Sequence, residues 1–182
     1  MSRIGKRAIK VVPEVKSEIL GRTITITSDR GSISFDIPAE LSISQNNGVI
    51  VCSRIKDDKR SRSLQGLFSR LITTRIADLG GGFKKKLEFK GTGYRARVEG
   101  DKLILNMGFS HEVSVAIPKG LNVNVVKNTI VCEGFDRSAV GDFAAKVREV
   151  RLPEVYKGKG IKYDFENIRR KTGKAAQTTG AK

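Results

Sequence analysis

Two lysines alternate with two glycines directly behind a tyrosine in Pro153-Glu154-Val155-Tyr156-Lys157-Gly158-Lys159-Gly160-Ile161, and these residue types at this spacing suit contact with phosphate. Glycine has no Cβ and reaches φ > 0, so the main chain can approach a flat or highly charged partner while Lys157 and Lys159 turn their ammonium groups to one side. Tyr156 adds an aromatic plane able to stack on a base or lie against a sugar. A flexible, solvated basic loop is the plainer alternative for the same residues. Two other constellations fail on context. Gly91-Thr92-Gly93-Tyr94-Arg95-Ala96 has the G-x-G-x-x-A form of a dinucleotide fingerprint. That motif must open a helix, whereas here the next residues alternate and turn back at Gly100. Ser110 stands beside His111, the single histidine. Neighbours on a strand point to opposite faces and no third group is indicated, so the pair reads as turn residues or phosphate and sugar contacts rather than a triad. With no zinc-spaced Cys/His cluster and no G-x-x-x-x-G-K-[ST] loop, no metal or cofactor is expected.

The rest of the chain must position such a loop. It has 182 residues, 38% of them hydrophobic, enough for one large domain or two small ones. Thirty-five Lys and Arg against 19 Asp and Glu leave a net charge of +16. A folded chain that keeps this charge despite its self-repulsion suits a polyanionic partner, nucleic acid first. A membrane partner is disfavoured, because Trp is absent and no segment sets a broad apolar face against a Lys/Arg face. No apolar run approaches the roughly 18 residues of a spanning helix, and Met1 to Pro13 lacks an h-region, so a cytoplasmic location is expected. Cys52 and Cys132 each end an apolar run and read as buried, reduced thiols.

The chain opens on a basic, glycine-loosened arm, Ser2-Arg3-Ile4-Gly5-Lys6-Arg7. Alternating runs Ile9 to Val12, Thr23 to Thr27 and Ile33 to Ile37 read as a small antiparallel meander, with a turn at Ser28-Asp29-Arg30-Gly31. Leu41 to Ser44 and Val49 to Cys52 form a hairpin across Asn46-Asn47-Gly48. From Ser61 the period becomes helical through Leu64, Leu67, Phe68, Leu71, Ile72, Ile76 and Leu79. Gly80-Gly81-Gly82 should stop that helix in the αL conformation, and a domain boundary is placed there.

The second half repeats the first. Ile37-Pro38-x-x-Leu41-x-Ile43 returns as Ile117-Pro118-x-x-Leu121-x-Val123, and Ile50-Val51-Cys52 as Ile130-Val131-Cys132, all 80 positions on. A second helix comes next, with Ser138 as N-cap and Val140, Phe143, Ala144, Val147 and Val150 in step, after a loop some four residues shorter. The fold expected is α+β: two duplicated small domains, each an antiparallel sheet packed on one helix, followed by a basic C-terminal extension. The bounds are 1–82, 83–152 and 153–182. Residues 1–82 carry a net +6 and residues 83–182 a net +10, so the second copy should hold most of the polyanion contact. There Lys84 and Lys86 take one face of a strand whose other face is Phe83, Leu87 and Phe89. Across Gly100-Asp101 a hairpin pairs Val98 with Leu103, Ala96 with Leu105 and Tyr94 with Met107, which turns Arg95 and Arg97 to the opposite face. From Pro153 onward eight basic residues meet three acidic ones. No new apolar face accompanies them, so the extension should take its order from a partner. Asp164 to Lys171 fits either a short helix or a strand.

Ser2 to Lys6, Arg62-Ser63-Leu64-Gln65-Gly66, Gly91 to Ala96, Gly108-Phe109-Ser110-His111, Pro153 to Ile161 and Arg169-Arg170-Lys171-Thr172-Gly173-Lys174 together resemble the family of bacterial-type large ribosomal subunit protein six. The match runs from end to end. It implies two duplicated domains similar to RNA-recognition folds, the second docked on large-subunit ribosomal RNA near the sarcin-ricin loop and stalk base, where translation factors land. It also implies ribosomal-protein neighbours, no catalysis and no homo-oligomer. Glu112 departs from a frequent proline, and Ala175 to Lys182 run past the usual end as a disordered tail. The candidate RNA contacts are Arg3, Lys6, Lys84, Lys86, Arg95, Arg97, Ser110, His111, Tyr156, Lys157, Gly158, Lys159, Gly160, Lys162, Arg169, Arg170, Lys171 and Lys174. Two rivals stay open on the sequence. A free-standing nucleic-acid-binding regulator would share the charge, and a nucleotide-using RNA enzyme would need Gly91 to Ala96 to cradle phosphate.

Overall fold

The computed structural model describes residue 5, residues 7–46 and residues 48–173. Arg3, Lys6, Lys174 and the tail Ala175 to Lys182 lie outside them. The chain divides into two compact units, 1–82 and 83–182.

The first unit runs β1 (Ile9–Lys10), β2 (Val15–Leu20), β3 (Thr23–Ser28), β4 (Gly31–Asp36), β5 (Leu41–Asn46), β6 (Val49–Arg54) and α1 (Lys59–Gly81). Alternation in β3 buries Ile24 and Ile26 completely, as a half-buried strand requires. The meander is β2-β3-β4, and the run at Ile9 is not part of it. Ile9 pairs instead with Ile50 in the sheet β1-β6-β5. β2 escapes the pattern because Lys16, Ser17 and Glu18 dilute its alternation and Val15 is its one buried residue.

In α1 the Asp58 carboxylate caps the first turn by accepting from the Ser61 N–H at 2.7 Å. The helix continues through Gly81 and stops at Gly82, whose φ 76 and ψ 161 are a positive-φ extended conformation rather than αL. Its buried stripe is half polar: Ser61, Gln65, Ser69 and Asp78 join Ile72, Ile76 and Leu79, while Leu67 is exposed. Gln65 explains the polar half. Its Nε2 donates to the Cys52 and Gly5 carbonyls at 2.8 and 3.0 Å, and its Oε1 accepts from Arg54 at 2.9 Å. Gly5 is therefore buried against Gln65 instead of belonging to a loose arm.

The second unit runs β7 (Phe83–Lys90), β8 (Arg95–Glu99), β9 (Lys102–Asn106), β10 (Val113–Ala116), β11 (Leu121–Val126), β12 (Thr129–Gly134), α2 (Arg137–Val150) and β13 (Gly160–Tyr163). β11 and β12 begin and end 80 residues after β5 and β6. The turns before them match as well, with Leu41 N–H on Pro38 O at 3.0 Å and Leu121 N–H on Pro118 O at 3.2 Å. The N-cap of α2 is Asp136, whose carboxylate accepts from Ser138 N–H at 3.0 Å, so Ser138 is not the cap. The loop before α2 is Phe135 and Asp136 against Ile55 to Asp58 in the first unit, a shortening of two residues rather than four. Val140, Phe143, Ala144 and Val147 pack on Leu87, Phe89, Ile130 and Cys132. Cys52 and Cys132 are buried free thiols, and burial pushes Cys132 up to about 12.

The extension departs most from expectation. β13 joins the edge of the sheet β11-β12-β7-β13, pairing Ile161 with Phe89 and Tyr163 with Leu87. Ile161 is fully buried in the core of the unit. Residues 153–173 thus have a core to join without any partner. Gly-Ile-Lys-Tyr offers two apolar positions at period two, too short a run to stand out in the sequence. Asp164 to Lys171 is neither helix nor strand but a turn followed by irregular chain.

Candidate nucleic-acid interface

β13 determines how the glycine-lysine loop is presented. Ile161 N–H bonds Arg151 O at 2.8 Å, Glu154 N–H bonds Lys159 O at 2.8 Å, and Gly158 N–H bonds Glu154 O at 3.0 Å, closing the loop on itself. Gly160, at φ 139, passes so close to the preceding chain that a Cβ would stand 2.5 Å from Leu152 O. No other residue fits there. Tyr156 and Lys157 are exposed at the tip. The Lys159 ammonium lies 3.4 Å from the Thr92 hydroxyl, so the two lysines do not share one environment.

That contact joins the loop to Gly91-Thr92-Gly93-Tyr94. The Tyr94 ring folds over Gly91, where a Cβ would meet it at 2.5 Å, and against Gly108 at 3.2 Å. Tyr94 is thereby drawn out of the β8–β9 ladder, which pairs Ala96 with Leu105 and Val98 with Leu103 but begins at Arg95. Beyond the glycines the chain enters β8 and not a helix, so the dinucleotide fingerprint has no helix N-terminus to work with.

Lys171 N–H bonds Val155 O at 2.9 Å and brings the C-terminal strap back beside the loop. The Arg170 guanidinium fills the space a Cβ on Gly158 would take, at 3.0 Å. Arg169, Arg170 and Lys171 are exposed. Between strap and sheet lies a concavity of about 770 Å³ lined by Lys90, Asn128, Gly158, Lys162, Arg170 and Glu166 among others. Its carboxylates are already neutralised. Glu88 holds Lys162 at 3.0 Å, and both Glu166 oxygens bind Arg148. That guanidinium, with Tyr163 N–H, holds the Glu166 carboxyl below the usual range. Lys90 and Arg170 therefore set the sign of the cleft.

Along β7, Lys84 is exposed but paired with Glu133 at 2.8 Å, while Lys86 has no carboxylate partner among the described residues. Arg95 and Arg97 are exposed on β8 as the alternation requires. Arg97 is occupied: Glu112 accepts from both terminal nitrogens at 2.7 Å, and Glu99 accepts from Nε. These bonds raise the Arg97 pKa, Glu112 contributing most, and hold the Glu112 carboxyl low. Ser110 and His111 are exposed in the β9–β10 loop, with the His111 imidazole stacked on Phe109 at 6.2 Å and Arg151 over the Phe109 ring at 5.2 Å. No group of three or more His, Cys, Asp or Glu that could hold a metal occurs among the described residues, nor a helix long and apolar enough to cross a membrane.

The structure thus gathers Tyr156, Lys157, Gly158, Lys159, Gly160, Lys162, Arg169, Arg170 and Lys171 around one end of the β7–β13 pair. Of the others, Lys84 and Arg97 are engaged by Glu133 and Glu112, Arg95 is exposed on β8, Lys86 O accepts from Asp164 N–H at 3.1 Å beyond the end of β13, and Ser110 and His111 follow Phe109, whose ring lies under Arg151. Sequence reasoning missed Lys90, Thr92 and Asn128, which adjoin the β7–β13 cluster. One signal was present. The offset of 80 sets Lys127-Asn128 where the sequence of the first unit has Asn47-Gly48, and Lys127 adopts φ 52, uncommon for lysine.

The sequence profile of the family described as Ribosomal protein L6 matches residues 90–164. Large ribosomal subunit protein uL6 of Crocosphaera subtropica is 43% identical over 178 residues, covering 97% of this chain and 99% of that protein. The uL6 protein of Moorella thermoacetica is 43% identical over 183 residues, covering 100% of both chains. That of Methylacidiphilum infernorum is also 43% identical, over 97% and 99%.

Proposed function

The chain belongs to the uL6 family of large ribosomal subunit proteins, and from that premise we propose that its second unit binds large-subunit ribosomal RNA near the sarcin-ricin loop and stalk base, supporting the region where translation factors land. The family is structural and non-enzymatic, so the chain is a cytoplasmic, ribosome-bound constituent and performs no reaction. In this reading a single copy sits among stalk-base proteins, with residues 1–82 turned outward to neighbours or incoming factors.

The observation that carries the reading is the closed loop at Tyr156–Gly160, tied to β13 and flanked by Arg169, Arg170 and Lys171. Its cations neutralise phosphates and release counterions, which is strongly salt-dependent and blind to sequence. Selectivity comes from shape. A-form RNA offers 2′-hydroxyls and a shallow minor groove, and its loops offer bases for Tyr156 to stack on. With about six to eight phosphates neutralised, affinity falls roughly 10³-fold or more between 50 and 200 mM salt.

The test is a Lys157→Ala/Lys159→Ala double variant titrated with protein-free large-subunit ribosomal RNA. Affinity should drop and the log–log salt slope should flatten by about 1.5 to 2, with urea stability unchanged. Unaltered affinity at matched salt would take this loop out of the interface. Equal RNA protection by both units would overturn the outward orientation of residues 1–82.

A further inference from the structure

Phe165 leaves 74% of its surface to solvent, more than any other large apolar side chain among the described residues, and yet its ring is held in place. It lies on Tyr163 with centroids 5.4 Å apart and planes 11° from parallel. The Lys85 ammonium stands 4.8 Å from the Phe165 centroid and 5.0 Å from that of Tyr163. Tyr163 is fixed in turn, as the last residue of β13 and through its N–H, which donates to Glu166 at 3.1 Å. Glu166 is gripped by both arms of Arg148. A phenylalanine serving only to cover its neighbours would be largely buried. This one presents an open aromatic surface on a rigid support beside a cation.

We propose that Phe165 is a stacking platform for one unpaired nucleobase of RNA, with the Lys85 ammonium placed for the adjoining phosphate. The proposal rests on RNA being the ligand of the second unit. The loop carrying Tyr156 precedes one end of β13 and the platform follows the other, with a strand of four residues, about 10 Å long, between them. The strap carrying Arg169, Arg170 and Lys171 runs from the platform back to the loop, so a single RNA strand meets aromatic, cations and aromatic in sequence. Every base has a π face, so the platform tolerates sequence. A base inside a duplex cannot reach it, so the occupant is a bulged or looped nucleotide.

The chain contains no tryptophan, which makes Phe165→Trp a single reporter. Titrated with protein-free large-subunit ribosomal RNA, its emission should be quenched in step with binding as indole stacks on a base. Phe165→Leu, apolar but without a π face, should bind about 5- to 150-fold more weakly at matched salt and keep the wild-type salt slope. Both substitutions sit at the surface, and urea unfolding of each variant should match the parent. Tight binding with unchanged emission overturns the platform and leaves the RNA reading standing. A blue shift without quenching, seen only when ribosomal proteins are added, assigns Phe165 to a protein pocket and also overturns it. Failure of the unsubstituted chain to bind this RNA overturns both.

Discussion

Ile161→Ala tests whether the C-terminal strand folds on the second unit before any RNA is present. Ile161 is fully buried, pairs with Phe89 across β7 and β13, and sits in the cluster with Leu87, Leu103, Phe143 and Val147. Truncation removes three carbons, each worth about 0.8 kcal/mol of transfer free energy, or about 2.4 kcal/mol together. Because β13 is held by its ladder to β7, the gap closes only in part, and the cavity raises the cost to about 3–4 kcal/mol. Against a stability of roughly 5–15 kcal/mol for a domain, that loss is large. Ile161→Val removes one carbon and should cost about 1 kcal/mol. The assay is urea unfolding of the RNA-free chain, with amide exchange at residues 160–163 assigning the change to β13. A graded loss of about 1 and then 3–4 kcal/mol is expected, together with faster exchange at those amides. An alanine cost below about 0.5 kcal/mol, or free exchange of the β13 amides in the unsubstituted chain, would mean that the strand docks only on RNA.

Gly160→Ala should be worse for RNA binding than its size suggests, because the new Cβ would meet Leu152 O at 2.5 Å and the residue sits at φ 139. Undocking the loop should weaken RNA binding at least about tenfold in a filter assay, although no charge is removed. Glu166 has a folded pKa below its unfolded value of about 4.3, first because Arg148 donates to it. Its contribution is therefore present above pH 4.3 and lost as pH falls through the lower folded value. Urea midpoints at pH 7 and pH 3 should differ less for Glu166→Gln than for the parent, and equal differences would dismiss the pair as a pH-dependent tie. Glu112→Gln should loosen the bidentate hold on Arg97 and raise RNA affinity a few-fold at low salt. Unchanged affinity there would remove Arg97 from the RNA contact.

The duplicated α+β plan was legible because its markers are local. Pro38 and Pro118 start matching turns, and the hairpins behind them keep their length over a shift of 80. β2 and β13 were not legible, since Lys16, Ser17 and Glu18 interrupt the alternation of the one and the other is only four residues long, and each is a strand because a neighbour pairs with it. In the candidate interface the chemistry of Tyr156 to Gly160 could be read directly, while its surroundings could not. Lys159 meets Thr92 from 67 residues away, and Arg97 meets Glu112 only because β8, β9 and β10 fold into one sheet. Formal charge overstated the cations on offer for the same reason. Lys84, Arg97 and Lys162 each face a carboxylate that lies elsewhere in the chain.

The two copies diverge at one sheet edge, and that divergence accounts for where the loop stands. In the first unit the edge strand β1 has two residues, whereas its counterpart β7 has eight. An uncovered edge of that length, with Leu87 and Phe89 on its core face, would offer free N–H and C=O groups to any passing strand. β13 covers the half of it from Leu87 to Lys90. Covering it obliges the chain to return from the end of α2, and the connection from Arg151 to Lys159 is pinned where it does so, by Ile161 N–H on Arg151 O at its base and Lys171 N–H on Val155 O from the strap. A loop restrained in this way has already given up most of the freedom that binding would otherwise take from it, so more of its phosphate contact appears as affinity. The protection of an edge and the rigidity of the proposed RNA contact are thus one structural event, and a substitution that frees β13 should weaken RNA binding even where it touches no cation.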